Sequence, residues 1–250
     1  MELLPNTRGN YHFLTGIEPY SSGVRADPGY EICFITLHSP VPWQAGFARV
    51  DAYLQAAGRE RSALCAIALR SPTPFTRQGF IDFNQGYCAV LDEWGLLVEG
   101  KNPIARTNVA PMWNPPAEPS LYAFALTMPA EEDTPDTFVV AGAGELGPGS
   151  LLEAPVVRAD ETSPEALQEK AQHVMRIMER RLRGLGVDWS GVTATEVYTR
   201  QPMDAVFGPC LLDRMGGATH HGLRWHHSRP PIDVLEFEMD CRGVRTEFVL

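Results

Sequence analysis

The chain has 250 residues, 44% of them hydrophobic and 21% charged, which is enough for one large or two ordinary globular domains. A formal charge of -10, with no run of Lys or Arg, argues against nucleic acid or an anionic membrane as a partner. The opening Met1-Glu2-Leu3-Leu4-Pro5 has neither a basic start nor a signal-like apolar run, and no stretch reaches the roughly 20 apolar residues of a membrane span, so a cytoplasmic location is expected.

In chain order, Tyr30, Ile32, Phe34 and Ile35 predict a strand over 29–37. Phe47, Val50, Tyr53 and Leu54 then recur at helical spacing over 42–57, and Gly58 is the natural stop. The apolar run 64–69 reads as a buried strand. A second helix is predicted over 78–94, with Phe80, Phe83, Tyr87 and Leu91 on one stripe. A strand at 121–126 closes the first half.

The polar segment 131–136 is the best candidate linker, and after it the order of elements restarts. The strand-like 137–141 is followed by Ser163-Pro164-Glu165, an N-cap with a first-turn proline and acid. Leu167, Ala171, Val174, Met178, Leu182 and Leu185 continue along one helical face until Gly184 and Gly186 end the helix. The second helix of this half is much reduced, over 203–215. An arginine also recurs, in Pro103-Ile104-Ala105-Arg106 and in Leu223-Arg224-Trp225-His226, each time shortly before an apolar run that reads as a closing strand. Two related domains, 1–130 and 137–250, are therefore expected. Each is an α+β unit with a mixed β-sheet and its helices packed on one face.

Five scattered cysteines, Cys33, Cys65, Cys88, Cys210 and Cys241, include no C-x-x-C pair and predict reduced thiols. Gly142-Ala143-Gly144 lacks the third glycine and the helix start of a dinucleotide loop, so no cofactor is expected. The four histidines His220, His221, His226 and His227 come as adjacent pairs, which point to opposite faces of a strand, and no H-E-x-x-H accompanies them. No metal is expected either.

Pro19-Tyr20-Ser21, Phe83-Asn84-Gln85-Gly86-Tyr87 and Pro103-Ile104-Ala105-Arg106 resemble, in the right order, the PYS, FN-x-x-Y and P-x-x-R segments of the Rid superfamily, the RidA/YjgF-like reactive intermediate deaminases. In the second half, 169–186 is similar to that family's long helix, Arg224 to its arginine and Leu235-Glu236-Phe237-Glu238-Met239 to its last strand. The resemblance implies two tandem chorismate-mutase-like domains, clefts between neighbouring domains as sites, and a homo-oligomer, with a trimer favoured. Asn108 and His226 stand where many members have a cysteine, and the halves keep different companions for their arginines.

By the same resemblance the activity is hydrolytic deamination of a carboxylate-bearing enamine or imine, with a 2-aminomuconate-type compound of aromatic degradation as substrate. Arg106 and Arg224 are the expected carboxylate anchors, because a guanidinium stays charged and offers a planar fork of donors. Tyr20, Asn84 and Asn108 are expected to touch substrate, Glu236 to activate water and His226 to shuttle protons. The substrate is expected to be a small mono- or dicarboxylate. Two alternatives stay open: a chorismatase-like hydrolase, and a non-catalytic protein that holds a small carboxylate.

Overall fold

Strand order makes the internal repeat visible in the computed structural model, which describes residues 1–131 and 133–250. The expected linker 131–136 thus includes one position, 132, outside the described residues. In the first half, β1 (Leu3–Asn6), β2 (Tyr11–Leu14) and β3 (Gly23–Ala26) precede β4 (Tyr30–Pro42), α1 (Trp43–Ala56), β5 (Leu64–Arg70), α2 (Arg77–Glu93), β6 (Ala105–Pro111) and β7 (Ser120–Pro129). The second half contains β8 (Phe138–Gly144), α3 (Pro164–Leu185), β9 (Ala194–Tyr198), β10 (Arg224–His226), β11 (Ser228–Arg229), β12 (Glu238–Gly243) and β13 (Thr246–Val249). Between β9 and β10 the counterpart of α2 is reduced to short helical turns over Phe207–Leu212, Asp213–Met215 and Gly216–His221.

One sheet contains the order β6-β5-β7-β4 and the other the order β10-β9-β12-β8. The β5–β6 and β9–β10 pairs are parallel, and β7 and β12 run antiparallel to both of their neighbours. The tandem α+β architecture expected from the sequence is therefore observed, with the strands of the two halves matching one for one in these positions. Each sheet is also extended by the other half. β3 pairs with β8, carrying β1 and β2 into the second sheet, while β13 pairs with β4 and β11 with β6 in the first.

The layers run helix, sheet, sheet, helix. Phe47, Val50, Leu54, Tyr87 and Leu91 of α1 and α2 bury against Ile35, Ile67 and Phe124 on the outer face of the first sheet. Val174, Met178 and Leu182 of α3 do the same against Val140, Val197 and Met239 of the second. Tyr11, Phe13, Val24, Ala66, Ala105, Ala125 and Val139 fill part of the space between the sheets. The helix ends follow local chemistry: the Thr76 hydroxyl accepts from Gly79 N at 3.0 Å, Ser163 accepts from Ala166 N at 3.2 Å, and Gly186 closes α3 at φ 76°, a left-handed conformation that suits a residue without Cβ. The five cysteines are free thiols.

Candidate active site

Arg106 projects from β6 toward α2 and is only 2% exposed. Its Nη2 donates to Asn84 Oδ1 at 2.7 Å, and the guanidinium carbon lies 4.6 Å from the Tyr87 ring centroid, 4.9 Å from Tyr20 and 5.5 Å from Phe80. Its Nη1 is buried and has no partner among the described residues. Burial lowers the guanidinium pKa, yet no shift of ordinary size discharges an arginine. The result is a rigid cation with one free donor.

Tyr20 reaches Arg106 because its segment is tied to the one before β6. Ser21 N donates to Ile104 O at 2.9 Å, Ser21 Oγ to Pro103 O at 3.1 Å, and Asn102 Nδ2 to Pro19 O at 2.8 Å. Two of the short motifs that carried the family resemblance are thus bonded to each other. Two residues beyond Arg106, Asn108 accepts from Ser71 Oγ at 2.9 Å and leaves its buried Nδ2 without a partner among the described residues.

Tyr20, Arg106 and Asn108 line a cavity of about 400 Å³, within the range of small-molecule sites. Its opposite wall comes from the second half. Arg181 of α3 donates through Nη1 to Ala141 O at 2.8 Å and Gly142 O at 3.2 Å, and its buried Nε is also unpartnered among the described residues. These carbonyls are available because the β3–β8 pairing stops at Val140. Glu238, the first residue of β12, completes the cavity at 4% exposure, with no ion pair among the described residues. Burial raises its pKa well above the ordinary value, helped by the Asp240 and Glu145 carboxyls and opposed by Arg181 and Arg106. These surroundings favour the protonated, uncharged form of Glu238. Burial likewise raises the Tyr20 phenol.

Two features fix Glu238 in place. A Cβ on Gly142 would collide with its Oε1 and crowd Thr107, so this glycine permits the close approach. Just before it in the chain, the fully buried Glu145 accepts from Glu236 N at 2.7 Å and Phe237 N at 3.1 Å, and pairs with the fully buried Lys170 at 3.2 Å. A buried ion pair with its remaining oxygens satisfied in this way locks backbone position.

The other sequence-predicted residues lie elsewhere. Arg224 and His226 of β10 line a separate cavity between the sheets, where Arg224 Nη1 meets Glu196 Oε1 at 3.0 Å and His226 Nε2 meets Glu196 Oε2 at 2.7 Å. Glu236 precedes β12 and is held by Arg200 at 3.1 Å and Gln201 at 2.9 Å. Burial pushes its pKa up, but those hydrogen bonds outweigh the burial and keep it below the usual carboxylate value, as a paired anion outside the cavity. Asn84 stands behind Arg106 and orients it. The structure thus gathers Arg106, Tyr20, Asn84 and Asn108, and leaves out Arg224, His226 and Glu236.

The model of the 2-aminomuconate deaminase CnbZ family matches residues 3–248. The chain is 41% identical over 244 residues to 2-amino-5-chloromuconate deaminase of Comamonas testosteroni, covering 97% of this chain and 96% of that protein. This chain belongs to the CnbZ family. Among solved structures it is similar to a chorismatase, with a TM-score of 0.46 and 12% identity over 92% of this chain and 79% of that one. The YjgF gene product of E. coli covers 44% of this chain and 80% of its own, at 12% identity and a TM-score of 0.27.

For this CnbZ-family chain, sequence reasoning missed Arg181 and Glu238. Arg181 sits three residues after Met178 and seven after Val174, on the apolar stripe of α3, so a charged residue on a buried face was the available signal. Glu238 shares strand parity with Glu236, and only the start of β12 separates the paired surface acid from the buried one.

Proposed function

We propose that the cavity between the halves deaminates an amino-substituted muconate hydrolytically, releasing ammonia. The observation that carries this reading is the pairing of two guanidiniums, Arg106 and Arg181, each with a buried donor unpartnered among the described residues, around the buried Glu238, whose protonated form burial favours. A muconate has a carboxylate at each end, and two charge-assisted donors, one from each half of the chain, suit a dicarboxylate. The name of the C. testosteroni relative points to the same substrate class.

Arg106 holds the carboxylate next to the amino-bearing carbon, with Asn84 fixing its fork, while Arg181 takes the distal carboxylate and Asn108 Nδ2 adds a donor. Tyr20 packs along the substrate. Glu238 gives its proton to the enamine carbon as the nitrogen lone pair forms the C=N bond. The resulting carboxylate takes a proton from water as that water's oxygen bonds to the iminium carbon. The proton then passes from Glu238 to nitrogen, the C–N bond breaks as the hydroxyl lone pair forms the C=O bond, and the hydroxyl proton returns to Glu238 as ammonia leaves. The residues described supply every proton position in this sequence without a metal.

The test is ammonia release from 2-aminomuconate, 2-amino-5-chloromuconate and the monocarboxylate 2-aminoacrylate. Turnover of the muconates well above that of 2-aminoacrylate, insensitive to chelators, is expected. Binding of muconates without ammonia would overturn the reading. We also read the chain as a cytoplasmic homo-oligomer, with a trimer favoured. The exposed Trp113, Trp225, Phe248 and Val249 are apolar surface suited to an interface, and light scattering measures the mass.

A further inference from the structure

The second cavity, of about 250 Å³, arises from a mismatch between the facing sheets. The first sheet presents small residues there, Ala66, Ala68 and Ala105, whereas the second presents Glu196, Tyr198, Arg224, His226, Asp240 and Arg242. Most of these charges are spoken for. Glu196 receives Arg242 at 2.8 Å as well as Arg224 and His226, and Arg242 also meets Glu247 at 2.7 Å. Asp240 accepts from the Tyr198 hydroxyl at 3.0 Å, and burial, with the Glu196 charge adding to it, raises its pKa.

Arg70 is the exception. It ends β5 at 6% exposure, makes no ion pair among the described residues, and donates one hydrogen bond, to Leu69 O at 3.0 Å. Its guanidinium carbon lies 3.9 Å from the Tyr122 ring centroid and 5.5 Å from that of Tyr198, and both rings line the cavity. Tyr122 is placed under it by a bulge: Ala68 pairs with Ala123 and Leu69 with Leu121, so Tyr122 is skipped. Bulges of this kind re-aim side chains. Among the guanidiniums lining this cavity, Arg224 and Arg242 pair with Glu196 and Glu247, whereas Arg70 has no carboxylate partner among the described residues, and a buried cation without a counter-ion is costly.

We propose that this cavity is a second anion site, which binds a planar monocarboxylate through Arg70, between the Tyr122 and Tyr198 rings, with Arg224 at the mouth. The guanidinium of Arg70, without an ion pair among the described residues, fits a single carboxylate, and the aromatic walls fit a flat apolar body. β6 is the partition: Asn108 lines only the deaminase cavity and Ala105 and Thr107 only this one, and Arg106, which lines both, gives its guanidinium hydrogen bond to Asn84, so the two sites fill independently.

Benzoate is the probe, titrated calorimetrically into the full chain with and without saturating cis,cis-muconate, which lacks the amino group. One benzoate per chain, bound equally well in the presence of muconate, is expected. Arg70→Met should weaken it at least tenfold while muconate deamination stays within about twofold of wild type. No benzoate binding, displacement by muconate, or full binding by a folded Arg70→Met would each overturn the proposal. If Arg70→Met does not fold, the bromine anomalous peak of 4-bromobenzoate in crystals of the wild-type protein decides: a peak beside Arg70 supports the site, and peaks only elsewhere, or none, overturn it.

Discussion

The two halves place an arginine on corresponding strands, β6 and β10, and turn it to opposite faces. Arg106 stands opposite Ile67, which belongs to the helix-side core, whereas Arg224 stands opposite Glu196, which faces the space between the sheets. Val197, the residue of β9 that packs on the helix side, is opposite Trp225. The repeated arginine is therefore displaced by one residue, and on a strand one residue inverts the side chain. The first half holds a buried arginine among aromatic rings. The second contributes its acid, Glu238, and its helix arginine, Arg181, to that same cavity, and uses Arg224 in an ion network.

The sharpest test of this contrast compares the two acids of the β12 region. Glu238→Gln should lower kcat by about 10²–10⁴-fold, the usual contribution of a general acid, whereas Glu236→Gln should stay within about threefold. The pH dependence has a definite sign. The wild-type rate should fall as pH rises through the raised pKa of Glu238, because the proton donor is consumed. Folding stability should fall over the same window, from the unfolded value near 4.5 up through the folded one, and Glu238→Gln should remove that slope in denaturant melts.

Exchanging the arginines comes next. Arg106→Met should cost kcat/KM roughly 10²–10³-fold, as expected for about two charge-assisted hydrogen bonds, and Arg224→Met less than threefold. Equal losses would dissolve the distinction between the halves. A smaller effect is expected at Arg181. Arg181→Met should raise KM for muconates by about 10–100-fold with little change for 2-aminoacrylate, as one charge-assisted contact is lost. Smallest in activity is Glu196→Gln, within about twofold, but it should destabilise the fold at neutral pH. Burial opposes ionisation of Glu196, yet the His226 hydrogen bond and the Arg242 charge hold its pKa at about 2. Its stabilisation is present above the unfolded value near 4.5 and is lost as pH falls through about 2, where the variant and wild type should converge in thermal melts.

Much of the fold was legible because its signals are local. The predicted helix 42–57 is α1, 78–94 is α2, and the Ser163 cap and Gly186 stop bracket α3. What sequence periodicity did not reveal was non-local. β1 to β3 are short strands that join a larger sheet only through β3, whose partner β8 is more than a hundred residues away, and β12 begins at Glu238 rather than at 235. At the candidate site, Arg106, Tyr20 and Asn84 came from motifs that are contiguous in sequence. Arg181 and Glu238 are brought in from α3 and β12, so their role depends on how the halves face each other, and the choice between Glu236 and Glu238 depends on register.

The exchange of strands also governs how the chain can be made. Residues 11–26 cannot finish their sheet until residues 138–144 exist, and β4 gains its last neighbour, β13, only from residues 246–249. Contacts of such long sequence separation slow folding and leave edges unpaired while synthesis proceeds. Separating the halves within 131–136 should give two aggregation-prone fragments, each with an open sheet edge, that become soluble only when produced together.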